Sequence, residues 1–479
     1  MRGAAAASSA YFKKRLIYKE HLAFMQNDNT FLGTERISKL LFRLALPAVT
    51  AQLVNMLYNL VDRIYIGHIP DTGSLALTGM GVCMPVIMLV AAFAALVSMG
   101  AAPRASIRMG EGNYEDAERI LGNSFTLLLL VAAVLTPVFT IFREELLFAF
   151  GATENTIQYA SEYLGIYALG TVFVQLALGL NAFITAQGYA KISMFTVLIG
   201  AVCNIVLDPV FIFGLNMGVR GAALATILSQ AVSAVWVLSF LCGKRTTLRI
   251  KARNMRLHAK LILPCVALGL APFIMQSTES VLNICFNTSL RNYGGDLAVG
   301  AMTILSSVMQ FAMLPLHGLT QGAQPIISYN FGARNRDRVK AGFFLLLKCC
   351  IAYSAALWLA VMLVPQAFAG MFTPDPALIE YTVWALRIYM AVTLIFGVQI
   401  ACQQTFIAIG NAKTSLFLAC LRKLILLIPL IYILPQFFAD QAMAVYLAEP
   451  VADLIAVSVT AMLFAKQFKQ ALAKLEPGG

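Results

Sequence analysis

Charged residues are scarce in this sequence. Asp, Glu, Lys and Arg make up 12% of its 479 residues, about half of the roughly 25% usual in soluble domains. A water-soluble protein of this size could not cover its surface with so few charges, which excludes an ordinary soluble enzyme, a disordered chain and a soluble nucleic-acid binder. Histidine is scarcer still, with only His21, His68, His258 and His317. There is no G-x-x-x-x-G-K-[ST] phosphate loop, so the chain cannot by itself drive pumping with ATP. No G-x-S-x-G, H-E-x-x-H or H-x-E…C-x-x-C pattern appears either, so no catalytic residues are assigned. The nine cysteines lie mostly inside apolar runs, without C-x-x-C pairs or metal-ligand spacing, and read as small buried hydrophobes. Ten-residue strands of alternating polarity are missing, which excludes an outer-membrane barrel.

What the sequence has is hydrocarbon, with 59% of its residues hydrophobic. A membrane-spanning helix needs about 20 mostly apolar residues. Read that way, the chain holds about twelve spans: residues 41–66, 75–100, 120–142, 161–186, 193–214, 219–241, 261–290, 297–319, 341–364, 381–408, 414–436 and 442–465. The expected fold class is an all-α membrane protein. Lys and Arg divide unevenly across these spans: 27 fall on the side of both termini and only Arg63, Arg143, Arg220, Arg291 and Arg387 on the other. Lys348, Arg422 and Lys423 fall inside spans, near the basic side. Basic loops stay cytoplasmic, so both termini are expected inside a multi-pass protein of the cell membrane.

The two halves repeat. Gly100-Ala-Ala-Pro103 with Gly110 and Asn113 recurs 222 residues later as Gly322-Ala-Gln-Pro325 with Gly332 and Asn335. Gly188-Tyr-Ala-Lys191-Ile-Ser193 recurs at the same offset as Gly410-Asn-Ala-Lys413-Thr-Ser415. Six spans per repeat leave both halves the same way up, two lobes related by an axis along the membrane normal, with a substrate path between them. The expected layout is an N-terminal segment over 1–36, an N-lobe over 37–241, a basic linker over 242–260, a C-lobe over 261–466 and a tail over 467–479. Residues 1–24 are partly basic and too broken to form a span, and Met25 opens a polar lead-in. Met25 is therefore expected as the true start, with residues 1–24 dispensable.

Ionisable groups within spans are costly and are functional candidates by default. Asp62 lies about five residues before Gly67 and Asp208 about six before Gly214, each roughly 9 Å or less from a span end at 1.5 Å per residue. Thr226 sits at a similar depth in span 6, and Asn204 one turn deeper on the face of Asp208. Two carboxylates, an amide and a hydroxyl at one level suit a hard cation such as Na+, or a proton. The alternative is that both acids are simply interfacial. Pro209 frees a backbone carbonyl and permits bending beside Asp208, a candidate hinge.

At this point the chain resembles the multidrug and toxic-compound extrusion (MATE) family across residues 30–470. Leu-Tyr-Asn-Leu-Val-Asp62, Gly100-Ala-Ala-Pro103, Asn204-x-x-x-Asp208-Pro209 and Gly221-Ala-Ala-Leu-Ala-Thr226 carry the likeness. Met275-Gln-Ser-Thr-Glu-Ser280, Tyr293-Gly-Gly-Asp296, Gln321-Gly-Ala-Gln-Pro325 and Cys402-Gln-Gln-Thr-Phe406 are similar to its bacterial MepA-like branch. The resemblance implies an antiporter that exports amphipathic, often cationic compounds in exchange for H+ or Na+. It implies a first-lobe cation site at Asp62, Asn204, Asp208 and Thr226. No cofactor is expected beyond the coupling ion. The expected partners are small-molecule drugs or organic cations and the lipid bilayer, with no nucleic acid and no obligate protein partner. Glu279 stands near a second-lobe carboxylate of other branches, and is either part of a site or a local structural Glu. Gln175, Gln276 and Gln310 line the cleft or bond neighbouring helices. A lipid-linked oligosaccharide flippase of related architecture is the competing reading. It calls for a cleft rich in Arg, of which the spans carry almost none.

Overall fold

Hydrocarbon offers no partner for a backbone N–H or C=O, so each apolar run closes its hydrogen bonds internally as a helix. The computed structural model describes residues 30–475; the expectation about Met25 falls outside them. Helices α1 (Ile37–Gly67), α2 (Gly73–Gly110), α3 (Tyr114–Ile141), α4 (Ile157–Leu169 continued by Thr171–Ala186), α5 (Ala190–Gly214) and α6 (Val219–Cys242) form the first lobe. The second comprises α7 (259–294), α8 (296–332), α9 (Arg336–Leu363), α10 (Pro376–Tyr389 continued by Thr393–Ala408), α11 (Ala412–Gln436) and α12 (Gln441–Ala473). Helices α4 and α10, the repeat-related pair, are bent by 58° and 50°. Helices α7 and α8 run together as Ala259–Gly332, but Gly295 at φ 65° turns the chain back between them. Cys265 near the start and Gly332 at the end accordingly pack on Gly100 and Ile107 of α2, at one end of the molecule.

Three helices run eight residues or more past the ends of the apolar stretches expected of them. α2 continues to Gly110, α8 to Gly332 and α12 to Ala473, so residues 467–473 of the expected tail continue the helix. Hydropathy marks where a helix leaves hydrocarbon; the helix itself continues until a cap or a glycine stops it. Asn113 and Asn335 then cap the starts of the next helices, α3 and α9, their side chains accepting from the Asp116 and Arg338 amides at 3.1 and 3.3 Å.

The 222-residue offset reaches individual hydrogen bonds. Ser106 Oγ donates to the Ala186 carbonyl at 2.7 Å, and Ser328 Oγ to the Ala408 carbonyl at 2.8 Å. Asn181 donates to the Ser193 carbonyl and Gln403 to that of Ser415. The Gly-Ala-x-Pro motifs form the seam between lobes. A Cβ on Gly100 would lie 1.9 Å from the Cys265 carbonyl oxygen of α7, and one on Gly322 2.5 Å from the Ala45 nitrogen of α1. Each repeat's second helix thus presses backbone to backbone on the other repeat's first, a self-complementary, two-fold-like contact.

This seam closes the molecule at the end that bears the basic loops. There, Leu40, Leu44 and Ala190 share one core with Leu316, Phe343 and Phe464, and Val97 and Met109 share another with Ile262 and Cys265. Arg338 also donates to the carbonyls of Leu32 and Glu35 at 3.1 and 2.7 Å, tying the segment before α1 to the second lobe. At the far end each lobe keeps its own core, around Tyr163 and Tyr167 in one and Tyr389 and Tyr446 in the other. The lobes therefore diverge from a basic-end seam. Large apolar side chains such as Leu46, Val134 and Val235 are exposed on the outside, as a lipid-facing surface requires.

Gly100→Ala is expected to lower the thermal midpoint of the purified protein in detergent, by the equivalent of about 1–3 kcal/mol of overpacking. Gly81→Ala lies on the same helix with nothing within 4 Å of its new Cβ, and should hold or raise the midpoint by up to about 1 kcal/mol of helix propensity. Equal midpoints for the two variants would contradict a backbone-to-backbone seam.

Candidate functional site

The four polar residues expected in the first lobe come together toward the far end. Asp62 on α1 is 3% exposed, Asn204 on α5 1% and Asp208, one turn on, 0%. Asn204 Nδ2 donates to Asp208 Oδ1 at 3.3 Å and to Thr226 Oγ1 on α6 at 3.5 Å. The Asp62 and Asp208 carboxyls lie within hydrogen-bonding reach of each other. Tyr163 on α4, which the sequence reading did not single out, bonds Thr226 and closes the cluster from the fourth helix. Residues at i and i+4 on α5 present one face, and that face meets α1 and α6 together.

Donors are too few for these acceptors. Asp62 Oδ1, Asn204 Oδ1 and Asp208 Oδ2 are buried without a protein donor. Orphaned buried oxygens are uncommon in native structures and each calls for an explanation. Two neighbouring carboxylates cannot both keep a bare charge where water is excluded. A proton shared between them, or a cation held by two carboxylates, an amide oxygen and a hydroxyl, fits this donor set. Among the described residues no three or more His, Cys, Asp or Glu side chains gather closely enough to hold a metal ion. A small cavity of about 40 Å³ adjoins Asn204 and Thr226, bordered by Asn55, Asn181 and Gln230; its size and polarity suit a few waters.

Pro209 does not break α5. The helix passes directly after it into a wider turn over Val210–Gly214, where the Leu215 amide donates to the Val210 carbonyl at 2.9 Å. Such π turns recur at functional sites because the extra residue re-aims side chains.

The remaining candidates separate. Gln175 is fully buried and donates to the Val90 carbonyl at 2.8 Å; it ties α4 to α2 and does not line open space. Gln276 faces Met99 Sδ at 4.0 Å across the seam, and Gln310 is exposed. Glu279 is half exposed and ion-paired to Lys423 of α11, whose side chain is only 5% exposed. The adjacent Arg422 donates to Asp453 Oδ1 at 2.6 Å and Glu449 Oε1 at 2.8 Å, both on α12. Hydropathy hid this cluster, because three acids and two bases spread over three long apolar helices scarcely dent their averages. Arg422 and Lys423 stand about ten residues in from the basic end of the 25-residue α11. A second π stretch, Leu421–Leu427, carries both.

Comparison with known proteins agrees with this architecture. The MatE family model matches residues 47–210 and 272–433, one stretch in each repeat. The chain is 24% identical over 438 residues to a multidrug export protein MepA of Staphylococcus haemolyticus, covering 91% of this chain and 96% of that one. A MepA of Staphylococcus aureus (strain N315) is 25% identical over 433 residues, 89% and 94% of the two chains. A crystal structure of MATE in complex with MaD3S shares the fold at TM-score 0.86 and 24% identity, over 93% of this chain and 99% of that one. An outward-facing multidrug resistance MATE family transporter of the MOP superfamily superposes at TM-score 0.85 and 23% identity, with the same coverage.

Asn204→Leu strips Asp208 Oδ1 of its donor and is expected to cost about 1–3 kcal/mol, the usual penalty for orphaning a buried polar group. Asp208→Asn removes one member of the acid pair and should leave the thermal midpoint unchanged or raised. Midpoints in the reverse order would contradict the strained acid pair.

Proposed function

The chain belongs to the multidrug and toxic-compound extrusion (MatE) family, and from that membership we propose that it is a secondary active antiporter, exporting amphipathic, cationic compounds in exchange for H+ or Na+. The observation that supports this most is the buried pair Asp62–Asp208, with acceptor oxygens that no protein donor reaches. Asp62, Asn204, Asp208 and Thr226 would hold the coupling ion. Its arrival cancels one of the two charges and lets α1 and α5 pack; its departure leaves like charges that push them apart. The wide turn after Pro209 is the place on α5 where that change is absorbed.

The seam at the basic end and the divergent far end describe one of the two states alternating access needs. With the basic loops in the cytoplasm, this state is open to the outside, and both termini face the cytoplasm of a cell-membrane protein. The closed cores at the basic end have to separate for the opposite state. Gln276, Glu279 and Gln310, on α7 and α8, are the polar residues offered to a compound in the cleft. Coupling then requires only that ion and compound favour different states, by a coupling energy of about 1–3 kcal/mol in typical cases.

Efflux of a fluorescent cationic dye from proteoliposomes, with a pH gradient and a Na+ gradient imposed separately, tests the reading. Dye movement driven by either gradient, and abolished in a well-inserted Asp208→Asn variant, is expected. Wild-type transport by that variant, or no gradient-driven flux across a varied dye panel, would contradict it.

A further inference from the structure

The second lobe holds a charge cluster that the ion site does not use. Its members are Glu279 on α7, Arg422 and Lys423 on α11, and Glu449 and Asp453 on α12. Three acids face Arg422 and Lys423, with the imidazole of His317 on α8 also within electrostatic reach of Glu279 and Lys423. Held neutral beside Lys423, that imidazole adds no charge, and the cluster is short of one positive charge. Arg422 serves two carboxylates while Lys423 serves one. A buried acid with half a partner is costly, and an acid or base in hydrocarbon marks a functional site by default.

Exposure shows where that shortage can be met. Arg422, Lys423, Glu449 and Asp453 have side chains no more than 11% exposed, whereas that of Glu279 is 51% exposed. Glu279 lies near the middle of α7, beside Ser280, which approaches Met88 of the first lobe at 3.8 Å. A half-exposed carboxylate at that depth faces the cleft rather than lipid. The opposite wall there carries Met88 and Met99, soft side chains that adapt to apolar bodies of different shape.

The two bases differ in freedom. The Arg422 guanidinium is gripped by both α12 acids and lies 4.7 Å over the Phe396 ring, a stacked and rigid arrangement. Lys423 has one partner on a flexible stem, and the π stretch it belongs to turns both neighbours inward. Glu449 is within electrostatic reach of Lys423 as well as of Arg422.

We propose that this cluster receives one organic monocation, and that Lys423 is its tethered placeholder. The incoming ammonium takes Glu279, Lys423 moves to Glu449, and Arg422 keeps Asp453. Five charges that carry one negative in excess become three complete ion pairs. The site therefore prefers a single positive charge on an apolar body. This rests on the export reading and narrows its substrate class.

The test is binding of tetraphenylphosphonium to the full-length protein in lipid nanodiscs, by calorimetry at fixed pH and salt. Lys423→Met removes the competitor and should tighten binding about tenfold, the scale of one lost ion-pair competitor. Glu279→Gln should weaken it by a similar factor. The double variant Glu279→Gln/Lys423→Met removes both partners, folds without a stranded charge, and should bind as weakly as Glu279→Gln. Binding left unchanged or weakened by Lys423→Met, or a double variant that binds like wild type, overturns the proposal. Displacement of the probe by Na+ but not by K+ that persists in Asp208→Asn assigns the site to an inorganic ion and overturns it too. These failures leave the export reading standing. Absence of binding in the wild type together with absent dye flux removes both.

Discussion

A charge inside a bilayer has to find its counter-charge within the protein or admit one from outside, and the organisation of this molecule follows from that constraint. The two lobes answer it differently. The first sets Asp62 against Asp208, acid against acid, with an amide and a hydroxyl to hand, and so leaves a positive charge to be supplied. The second sets Glu279, Glu449 and Asp453 against Arg422 and Lys423, and supplies most of the charge itself. The scaffold is duplicated and the chemistry is not. At the 222-residue offset Asp62, Asn204, Asp208 and Thr226 correspond to Ile284, Leu426, Leu430 and Ala448. In the other direction Glu279, Arg422, Lys423 and Glu449 correspond to Leu57, Gly200, Ala201 and Ile227. Repeat symmetry supplies two bodies able to rock against each other, and the asymmetry of charge supplies a reason for the rocking.

The packing makes that motion feasible. Each far-end core belongs to one lobe, while both basic-end cores draw residues from the two lobes. Glycine backbones meet at the seam itself, while the apolar side chains shared by the two basic-end cores have to part when the state changes. Where the chain must give within a lobe, it has wide turns: Val210–Gly214 beside Asp208, and Leu421–Leu427 around Lys423. Both place a local change of helical pitch next to a titrating or pairing group, at the point where a charge event can be converted into a shift of helix direction.

Much of this was legible in sequence. Twelve spans, the lobes and their offset follow from hydrophobic run lengths and from two glycine motifs, because glycine and proline in hydrocarbon have few roles besides close approach and bending. The structure adds the reason for the motifs: Gly100 and Gly322 are seam positions, and Asn113 and Asn335 are caps. Asp62, Asn204, Asp208 and Thr226 could be gathered because depth from a span end and the i, i+4 rule fix level and face. Tyr163 escaped since a tyrosine in an apolar run carries no charge to draw notice. The second-lobe cluster escaped for a different reason. Its pairs join three different helices, Glu279 of α7 to Lys423 of α11 across 144 residues of chain and Arg422 to Glu449 and Asp453 of α12 across 27 and 31, and spacing along one helix says nothing about them. Gln175, open in sequence between the cleft and a neighbouring helix, bonds the Val90 carbonyl of α2, a choice that spacing alone does not make.

The account stands on competition between the ion at Asp62 and Asp208 and an organic cation in the cleft. Tetraphenylphosphonium affinity measured against pH in Na+-free solution, and against Na+ at fixed high pH, tests it most directly. If the ion favours release, affinity weakens as pH falls, by up to about tenfold per unit where one proton is linked, or weakens as Na+ rises. The dependence disappears in Asp208→Asn. An affinity indifferent to both ions in the wild-type protein would contradict the account.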